Sequence, residues 1–464
     1  MTRIAVRILK IVAVVTITAC ALVAGLGFAM FRHFNTPPPT AHYPKPTTAL
    51  EAQRQDLAHF RKLVALDRSF DPAARAAAER RVAALEATGV AVDQAHLRVA
   101  LMEILALADN GHTRLEVGEG AHTKQLPVRV GVFSDGIYVM SATGAALALL
   151  GGRVTAIDGK PIELVMERLA ALRGGTPAWR RLNAALYLSD PEILFGTNIS
   201  ADGEHSVWTV ATSNGGTTTI MLDAITRSDA EPAPAKGMGD RWVAMQSDGR
   251  QPLSLRDFDT PFRRIRLEQS CTMLIQLKAN HDVGDQHIAD FVAATEADMR
   301  TNEPCAVILD LRFDGGGNYQ NTAAFAKGLP DLTQPRGRIY LLTGPATFSA
   351  GITTAAFLAQ AGGDRVTILG EPVGDRLHFF SEGNRGCLPN RPLCVSYEQG
   401  KHDYAHPCTD WDICFWLNKF YPVQVDSLEP HETLTMSFPQ WREGHDPAFE
   451  RAVELAARSE PARH

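Results

Sequence analysis

A glycine-rich loop and a serine each follow an apolar segment of this sequence. Segment 306–311 is apolar apart from one aspartate and leads into the glycines at 315–317, and segment 338–342 leads to Ser349. Apolar runs of this length are typical of strands that are buried on both faces. The glycines let the backbone bend and expose its N–H groups, and Ser349 begins an Ala-rich helical pattern. Both segments therefore place polar groups at their carboxyl ends.

Ser349 has the setting of a nucleophile. A serine hydroxyl is a poor nucleophile at neutral pH, so it needs a base and hydrogen-bond donors for the oxyanion that forms. The helix that begins at Ser349 and the glycine loop could supply these donors, because both present free backbone amides. The same residues also fit a helix N-cap followed by an ordinary turn. The local sequence leaves both interpretations open.

The surrounding pattern predicts an α/β layer. Strands alternate with helical segments, and we expect the strands at 271–277, 306–311, 338–342 and 365–369. In such layers the crossovers are right-handed and sites lie beyond the carboxyl ends of the strands. We expect this domain to span 256–464, with a loop-dominated, Cys-rich stretch at 381–425 and a terminal helix that opens at Asp446.

The sequence before this domain changes character several times. Helical periodicity dominates 49–123, and His112 follows an Asn-Gly helix stop in that region. Short strands separated by tight turns indicate a β-rich module at 124–226, and the polar stretch 227–255 has the composition of a linker. Prolines at 34–48 indicate a stiff spacer.

The N-terminus has the pattern of a membrane anchor. Arg3, Arg7 and Lys10 precede an uncharged run at 11–31, which is long enough for a bilayer core of about 30 Å. Basic residues on this flank indicate that the rest of the chain is exported. We expect 1–33 to be a single-pass inner-membrane anchor with the remainder in the periplasm. A cleaved signal peptide, or a lipoprotein signal that ends at Cys20, is the alternative.

Composition narrows the classes of protein further. The chain has 464 residues and a net charge of −6, with no dense Lys/Arg block, which argues against nucleic-acid binding. Four cysteines crowd into one loop-rich stretch, and in an oxidising compartment two disulfides are expected among Cys387, Cys394, Cys408 and Cys414. A zinc site is the alternative, but the paired two-residue spacings are absent. No metal or other cofactor is expected.

Three motifs resemble those of the C-terminal-processing, or tail-specific, serine peptidases. They are Asp310-Leu-Arg-Phe-Asp-Gly-Gly-Gly-Asn, Thr347-Phe-Ser-Ala-Gly and Gly370-Glu-Pro. The resemblance implies a crotonase/ClpP-like α/β catalytic domain with an N-terminal helical region and an inserted β-rich module. It also implies that Ser349 is the nucleophile, with an oxyanion hole built from the amides of Gly316, Gly317 and Ala350. The module resembles a PDZ domain through Gly152-Arg-Val-Thr-Ala-Ile-Asp-Gly, and such domains bind extended peptide ends.

The general base is where this chain departs from the tail-specific pattern. The catalytic lysine of that branch is replaced by Gly374-Asp-Arg, and a guanidinium is not deprotonated in proteins. The chain is closer to the branch of the tricorn core and the retinoid-binding-protein repeats, whose histidine base lies upstream of the inserted module. Gly111-His-Thr is similar to that motif, so the resemblance implies that His112 is the base. Rival bases are His378, His402, His406 and His431.

A carboxylate should orient His112. We expect Glu382 in this role, and Asp375 and Glu429 are the alternatives. The sequence thus predicts an exported, membrane-tethered serine peptidase that cleaves peptides or unfolded protein tails through an acyl-enzyme. A non-catalytic peptide- or ligand-binding protein on the same scaffold is the alternative, and export disfavours an acyl-CoA enzyme. The oligomeric state stays open.

Overall fold

The structure is a computed structural model that describes residues 3–118, 124–226, 242–246, 251–268 and 270–459. Its α-helices within these ranges are α1 (Arg3–Phe34), α2 (Ala49–Leu66), α3 (Pro72–Ala87), α4 (Gln94–Ala106), α5 (Ile162–Ala170), α6 (Pro177–Tyr187), α7 (Pro191–Gly196), α8 (Ile288–Asn302), α9 (Gln320–Gly328), α10 (Ala350–Gly362), α11 (Phe438–Glu443) and α12 (Pro447–Ser459). Short 3-10 helices occupy Gly144–Leu149, Leu253–Leu255, Gly363–Arg365 and Trp416–Lys419.

The strands of the described ranges belong to five sheets. In chain order they are β1 (Arg114–Val117), β2 (Lys124–Gln125), β3 (Val128–Phe133), β4 (Gly136–Ala142), β5 (Arg153–Ile157), β6 (Lys160–Pro161), β7 (His205–Ala211), β8 (Thr217–Asp223), β9 (Ile225–Thr226), β10 (Val243–Ala244), β11 (Phe262–Arg266), β12 (Thr272–Leu277), β13 (Ala306–Asp310), β14 (Arg338–Thr343), β15 (Val366–Gly370), β16 (His378–Ser381), β17 (Asn384–Cys387), β18 (Leu393–Tyr397), β19 (Gly400–Asp403) and β20 (Glu432–Thr433).

The six-stranded sheet carries the candidate site. Its order is β11-β12-β13-β14-β15-β20, with parallel pairing throughout except for the antiparallel edge strand β11. Every residue of β12 and β13 is buried, as expected for strands covered on both faces. The α/β fold predicted from the alternating pattern is confirmed.

Helices cover both faces of this sheet. Helices α8, α9 and α10 pack in the larger core, where Phe325 and Phe357 are fully buried. Helix α12 covers the opposite face with Ala448 and Ala452. Because β13 and β14 are adjacent and parallel, the loops that follow them meet at one edge of the sheet.

The β-rich module is built on a seven-stranded sheet. The order β10-β4-β5-β7-β8 is extended by β3 on β4 and by β6 on β5. β7, which lies between β5 and β8, alternates buried with less buried residues, as in a strand that packs on one face. β10 lies within the stretch expected to be a linker; the positions at 227–241 and 247–250 lie outside the described residues.

The Cys-rich stretch differs from the loop expected at 381–425. It contains β17, β18 and β19, and β18 pairs with β1 from the helical region. The reason is the long-range pairing of β1 with β18, which the local composition does not reveal. This pairing attaches the segment that follows His112 directly to the α/β domain.

Three disulfides link six of the seven cysteines. The two expected in the Cys-rich stretch are Cys387–Cys394 and Cys408–Cys414, and the third is Cys271–Cys305. Cys387 and Cys394 face each other across the β17–β18 hairpin. Cys271 and Cys305 directly precede the paired residues Thr272 and Ala306, so the third disulfide joins the beginnings of two neighbouring strands.

Removal of the Cys271–Cys305 disulfide is expected to cost the most stability. Its cysteines are 34 positions apart, against 7 and 6 for the other two. Chain entropy predicts a stabilisation of about 4 kcal/mol for the long loop and roughly 2 kcal/mol for each short one. Urea unfolding of the Cys271→Ala/Cys305→Ala variant against the Cys387→Ala/Cys394→Ala variant tests this order. A larger loss from the second pair would contradict it.

Helix α1 is apolar enough to cross a membrane. The candidate span is Lys10–Phe34, with a mean hydropathy of 2.4, and length and composition alone fit either an anchor or a signal sequence. The proline-rich segment after it does not stand free, contrary to the expected spacer. The amide of Thr36 donates to Gln399 at 2.8 Å, and the hydroxyl of Tyr397 donates to the carbonyl of Thr36 at 2.7 Å. These bonds hold the segment on the domain.

Candidate active site

Ser349 is held in a strained conformation between β14 and α10. Its φ of 54° and ψ of −122° are unfavourable for a residue with a side chain. The amide of Phe348 donates to the carbonyl of Asp314 at 2.9 Å, and Ile352 donates to the carbonyl of Ser349 at 3.0 Å. The Ser349 hydroxyl makes no hydrogen bond within the described ranges, and the residue is partly exposed. The backbone therefore presents this hydroxyl at the carboxyl edge of the sheet.

The glycine loop lies directly against Ser349. Gly316 and Gly317 have φ values of 105° and 136°, which side chains rarely tolerate. A Cβ at Gly316 would lie 2.7 Å from the Cβ of Ser349 and 3.1 Å from the amide nitrogen of Ala350. Any larger residue at 316 would therefore prevent the glycine loop and the Ser349 loop from approaching this closely.

The three expected oxyanion amides differ in their availability. The amide of Gly316 already donates to Oδ1 of Asp314 at 3.0 Å, so it shapes the loop. The amides of Gly317 and Ala350 make no hydrogen bond within the part of the chain that is described. Two free amides thus remain, one in the glycine loop that approaches Ser349 and one in the first turn of α10.

Asp314 is a buried residue of the site that the sequence reasoning missed. Its carboxyl is completely buried, and burial raises its pKa to about 8 against the opposing effect of the Gly316 amide. The side chain of Asn280 bridges this carboxyl to two threonine hydroxyls, with its nitrogen 2.7 Å from Asp314 Oδ1. An aspartate directly before three glycines was the available signal, because Asp side chains commonly bond the backbone two residues on.

The loop that carries His112 is hydrogen-bonded to the α/β domain. The side chain of Asn110 donates to the carbonyl of Phe380 at 3.0 Å and accepts from the Phe380 amide at 3.1 Å. Arg173 from the β-rich module donates to the carbonyl of Gly111 at 2.9 Å. The position of His112 is therefore fixed by hydrogen bonds to both the α/β domain and the module.

The ring of His112 lies in a column of aromatic rings. It packs against Phe348 with centroids 4.4 Å apart and stacks on Phe379 at 5.2 Å. The column continues at one end to Trp179, which is 3.9 Å from Phe348, and at the other to His402, which is 5.1 Å from Phe379. Since Phe348 directly precedes Ser349, this packing places His112 beside the backbone of the loop that carries Ser349.

His112 is electrostatically suited to remain neutral. Burial lowers its pKa well below the usual value, and the nearby charges of His402, Arg114 and Arg173 act in the same direction. Both ring nitrogens are buried without a hydrogen-bond partner among the described residues. Nδ1 lies 4.0 Å from Oδ2 of Asp375, so a shift of about 1 Å would form a hydrogen bond.

The carboxylate beside His112 is Asp375. Burial raises its pKa to about 6, while the amide and charge of Arg376 oppose the shift. Glu382, which we expected here, instead lies 3.6 Å from Nε2 of His402. The β16–β19 pairing aligns Ser381 with Gly400 and so places Glu382 beside His402. The structure therefore brings together Ser349, the glycine loop, His112 and Asp375, and leaves Glu382 with a different histidine.

The remaining candidates have other surroundings. His402 is buried, and its ring nitrogens are hydrogen-bonded to the hydroxyls of Ser381 at 2.9 Å and Tyr404 at 3.1 Å. His431 accepts the amide of Ile368 at 3.0 Å. The other three candidates have side chains exposed to solvent; they are His378, His406 and Glu429.

A groove of about 540 Å³ runs between the β-rich module and the carboxyl edge of the sheet. On the sheet side it is lined by the turn before Ser349, at 344–346, and by Glu371. On the module side it is lined by Phe133 and Arg181. It therefore borders the turn that precedes Ser349.

Comparison with known proteins shows likeness at the level of the fold. No family model and no curated protein matches the sequence. The solved structure of mature CPAF is 13% identical, with a TM-score of 0.56 over 88% of this chain and 97% of that one. Mature CPAF in complex with lactacystin is 12% identical, with a TM-score of 0.54 over 88% and 98%.

A photosystem II D1 C-terminal processing protease also matches, at 12% identity and a TM-score of 0.36, over 76% of this chain and 88% of that one. With mature CPAF the likeness is one of fold, as the resemblance of the motifs to tail-specific serine peptidases leads us to expect. The chain has the α/β architecture expected from that resemblance, and it extends over nearly the whole length of mature CPAF.

Proposed function

We propose that this chain is a serine peptidase that cleaves peptides or unfolded protein tails through an acyl-enzyme on Ser349. The observation that carries the proposal is the strained Ser349 backbone, which lies against Gly316 and is joined through Phe348 to His112. The fold shared with known structures supports it. The disulfides and the apolar α1 support an exported chain that is held to a membrane.

The mechanism follows from the position of each group. The Oγ atom of Ser349 attacks the scissile carbonyl carbon, and Nε2 of His112 takes the hydroxyl proton. The amides of Gly317 and Ala350 stabilise the oxyanion, aided by the N-terminus of α10. His112 then gives the proton to the departing amine, which leaves an ester on Ser349. A water molecule, activated by His112, hydrolyses this ester and restores the serine.

Asp375 orients His112 and stabilises the imidazolium that forms during each proton transfer. Once a shift of about 1 Å closes the 4.0 Å gap, the Nδ1–H group donates a hydrogen bond to this buried carboxylate, and Nε2 is free to accept the serine proton. The groove along the module holds the substrate as an extended chain. Phe133 and the neighbouring apolar side chains contact the substrate, and Arg181 and Glu371 contribute a charge of each sign.

Hydrolysis is expected to fall as the pH drops through about 6. Asp375 must be ionised to act on His112, and burial raises the pKa of its carboxyl to about 6. The pKa of His112 is lowered well below its usual value, so protonation of the imidazole is disfavoured where Asp375 titrates. When kcat/KM is measured between pH 4.5 and 9, its decrease on the acidic side, the acidic limb, therefore reports the protonation of Asp375.

Asp375→Asn is expected to remove this limb and to lower kcat/KM by about 10²- to 10⁴-fold. Glu382→Gln is the matched control, because its carboxylate lies beside His402. It should retain both the limb and most of the rate. If Glu382→Gln removed the limb and Asp375→Asn kept it, Glu382 would be the orienting carboxylate.

The activity is tested with the full-length chain in nanodiscs and a library of unstructured peptides, with mass spectrometry of the products. We expect defined cleavage products, which are absent with Ser349→Ala. Intact peptides after prolonged incubation, at a pH above 7 and with the chain folded, would contradict the proposed function.

A further inference from the structure

Residues 408–421 form an exposed loop, here called the aromatic loop, beside the end of α1. The disulfide Cys408–Cys414 closes one half of it. Trp411 is 63% exposed and Phe420 is 70% exposed, so two of the largest apolar side chains of the domain face solvent here. Exposed aromatic side chains grouped on one surface mark a contact with a partner or a membrane.

The loop is attached to the last residues of α1. Phe34 is fully buried in the core of the catalytic domain, with its ring 5.6 Å from that of Phe415. Nε2 of His33 lies 2.7 Å from the carbonyl oxygen of Asp412, and Arg68 donates to the same oxygen. Helix α1 therefore enters the domain at the aromatic loop without a free spacer.

This attachment fixes the distance between the loop and a bilayer that holds α1. The 25 residues of Lys10–Phe34 rise by about 1.5 Å each and so reach roughly 37 Å, only slightly more than the hydrocarbon core of about 30 Å. The bilayer surface must then pass close to His33. Trp411 is next to Asp412, which contacts His33, and so it lies at the same level.

We propose that the aromatic loop is a membrane-contact surface and that Trp411 and Phe420 enter the headgroup layer of the bilayer. Tryptophan is favoured at this depth because its ring is apolar with one polar edge. Lys419 lies 4.8 Å from the Trp411 ring, where its charge can reach lipid phosphates. The charged Asp410 and Asp412 keep the loop out of the hydrocarbon core. This proposal rests on the membrane attachment within the proposed function.

Fluorescence of the full-length chain in nanodiscs tests the contact. The chain has six tryptophans, so the Trp411 signal is the difference between the wild type and Trp411→Phe. We compare nanodiscs of unbrominated lipid with those of lipid brominated near the headgroup end of the acyl chain. The Trp411 component is expected to fall by at least about twofold in the brominated lipid, because a ring at the interface contacts the bromines.

Leu186→Trp in the Trp411→Phe background is the matched control. Leu186 is 63% exposed, like Trp411, but lies on α6 of the β-rich module. Its tryptophan should keep its intensity in brominated lipid. Quenching of Trp411 no greater than that of this control would overturn the proposal, as would release of the chain by carbonate extraction.

Peptide hydrolysis separates this proposal from the proposed function. Trp411→Phe is expected to hydrolyse peptides at the wild-type rate. A wild type that is quenched at Trp411 but does not hydrolyse peptides would refute the peptidase and leave the membrane contact intact. A chain that hydrolyses peptides while Trp411 stays unquenched would refute the membrane contact and leave the peptidase intact.

Discussion

Ser349→Ala is expected to lower peptide hydrolysis by at least about 10³-fold while the chain stays folded. Loss of a nucleophile in a serine peptidase removes the covalent route, and only the oxyanion donors and substrate binding remain. The substitution removes a partly exposed hydroxyl that bonds no described residue, so little packing is lost. Single-turnover hydrolysis measures the effect, with thermal unfolding to show that the fold is retained.

Ser381→Ala is the control for this substitution. Ser381 is hydrogen-bonded to His402, and Glu382 lies beside the same histidine, so these residues form a second serine–histidine–carboxylate group. Ser381 is only 6% exposed and His402 only 2%, which leaves no route for a substrate. Hydrolysis should therefore persist in Ser381→Ala. If it vanished there and persisted in Ser349→Ala, the nucleophile would have to be reassigned.

His112→Phe is expected to lower hydrolysis by about 10³-fold or more with a small change in stability. Phenylalanine keeps a ring between Phe348 and Phe379 but has no nitrogen to take the proton of Ser349. His112→Ala would also empty part of the ring column, so a loss of activity in that variant alone would be ambiguous. Measurement of kcat with the unfolding midpoint of both variants separates the two effects.

His402→Phe is the counterpart in the same column. The substitution keeps the stack on Phe379 and removes the bonds to Ser381 and Tyr404. The His402→Phe variant should be less stable than the wild type, and its rate of hydrolysis should fall by less than about tenfold. This is expected for a buried network that does not contact the substrate. A loss as large as that of His112→Phe would identify His402 as a participant in proton transfer.

The nucleophile half of the site could be predicted because its parts are local. Ser349 and Gly316 each follow a buried strand, and adjacent parallel strands bring their carboxyl ends together. The same logic explains Cys271 and Cys305, whose strands are paired from their first residues. The local sequence around either cysteine does not by itself pair the two.

The carboxylate beside His112 could not be assigned in the same way. Asp375 and Glu382 both follow β15, and they are seven positions apart along the chain. Which of them faces His112 depends on the pairing of β16 with β19, which carries Glu382 to His402. It also depends on Asn110, whose two bonds to Phe380 set the position of His112. Contacts between segments more than two hundred residues apart are not contained in local patterns.

Covalent labelling of the folded, full-length chain by a fluorophosphonate, read by peptide mapping, tests the central claim most directly. A serine hydroxyl activated by His112 should become phosphonylated at Ser349, while Ser381 stays unmodified and His112→Phe reacts at least about 10²-fold more slowly. The reaction should also slow as the pH falls through about 6, where Asp375 becomes protonated. A chain that remains unlabelled at pH 8, under conditions in which a known serine hydrolase reacts completely, would contradict the account.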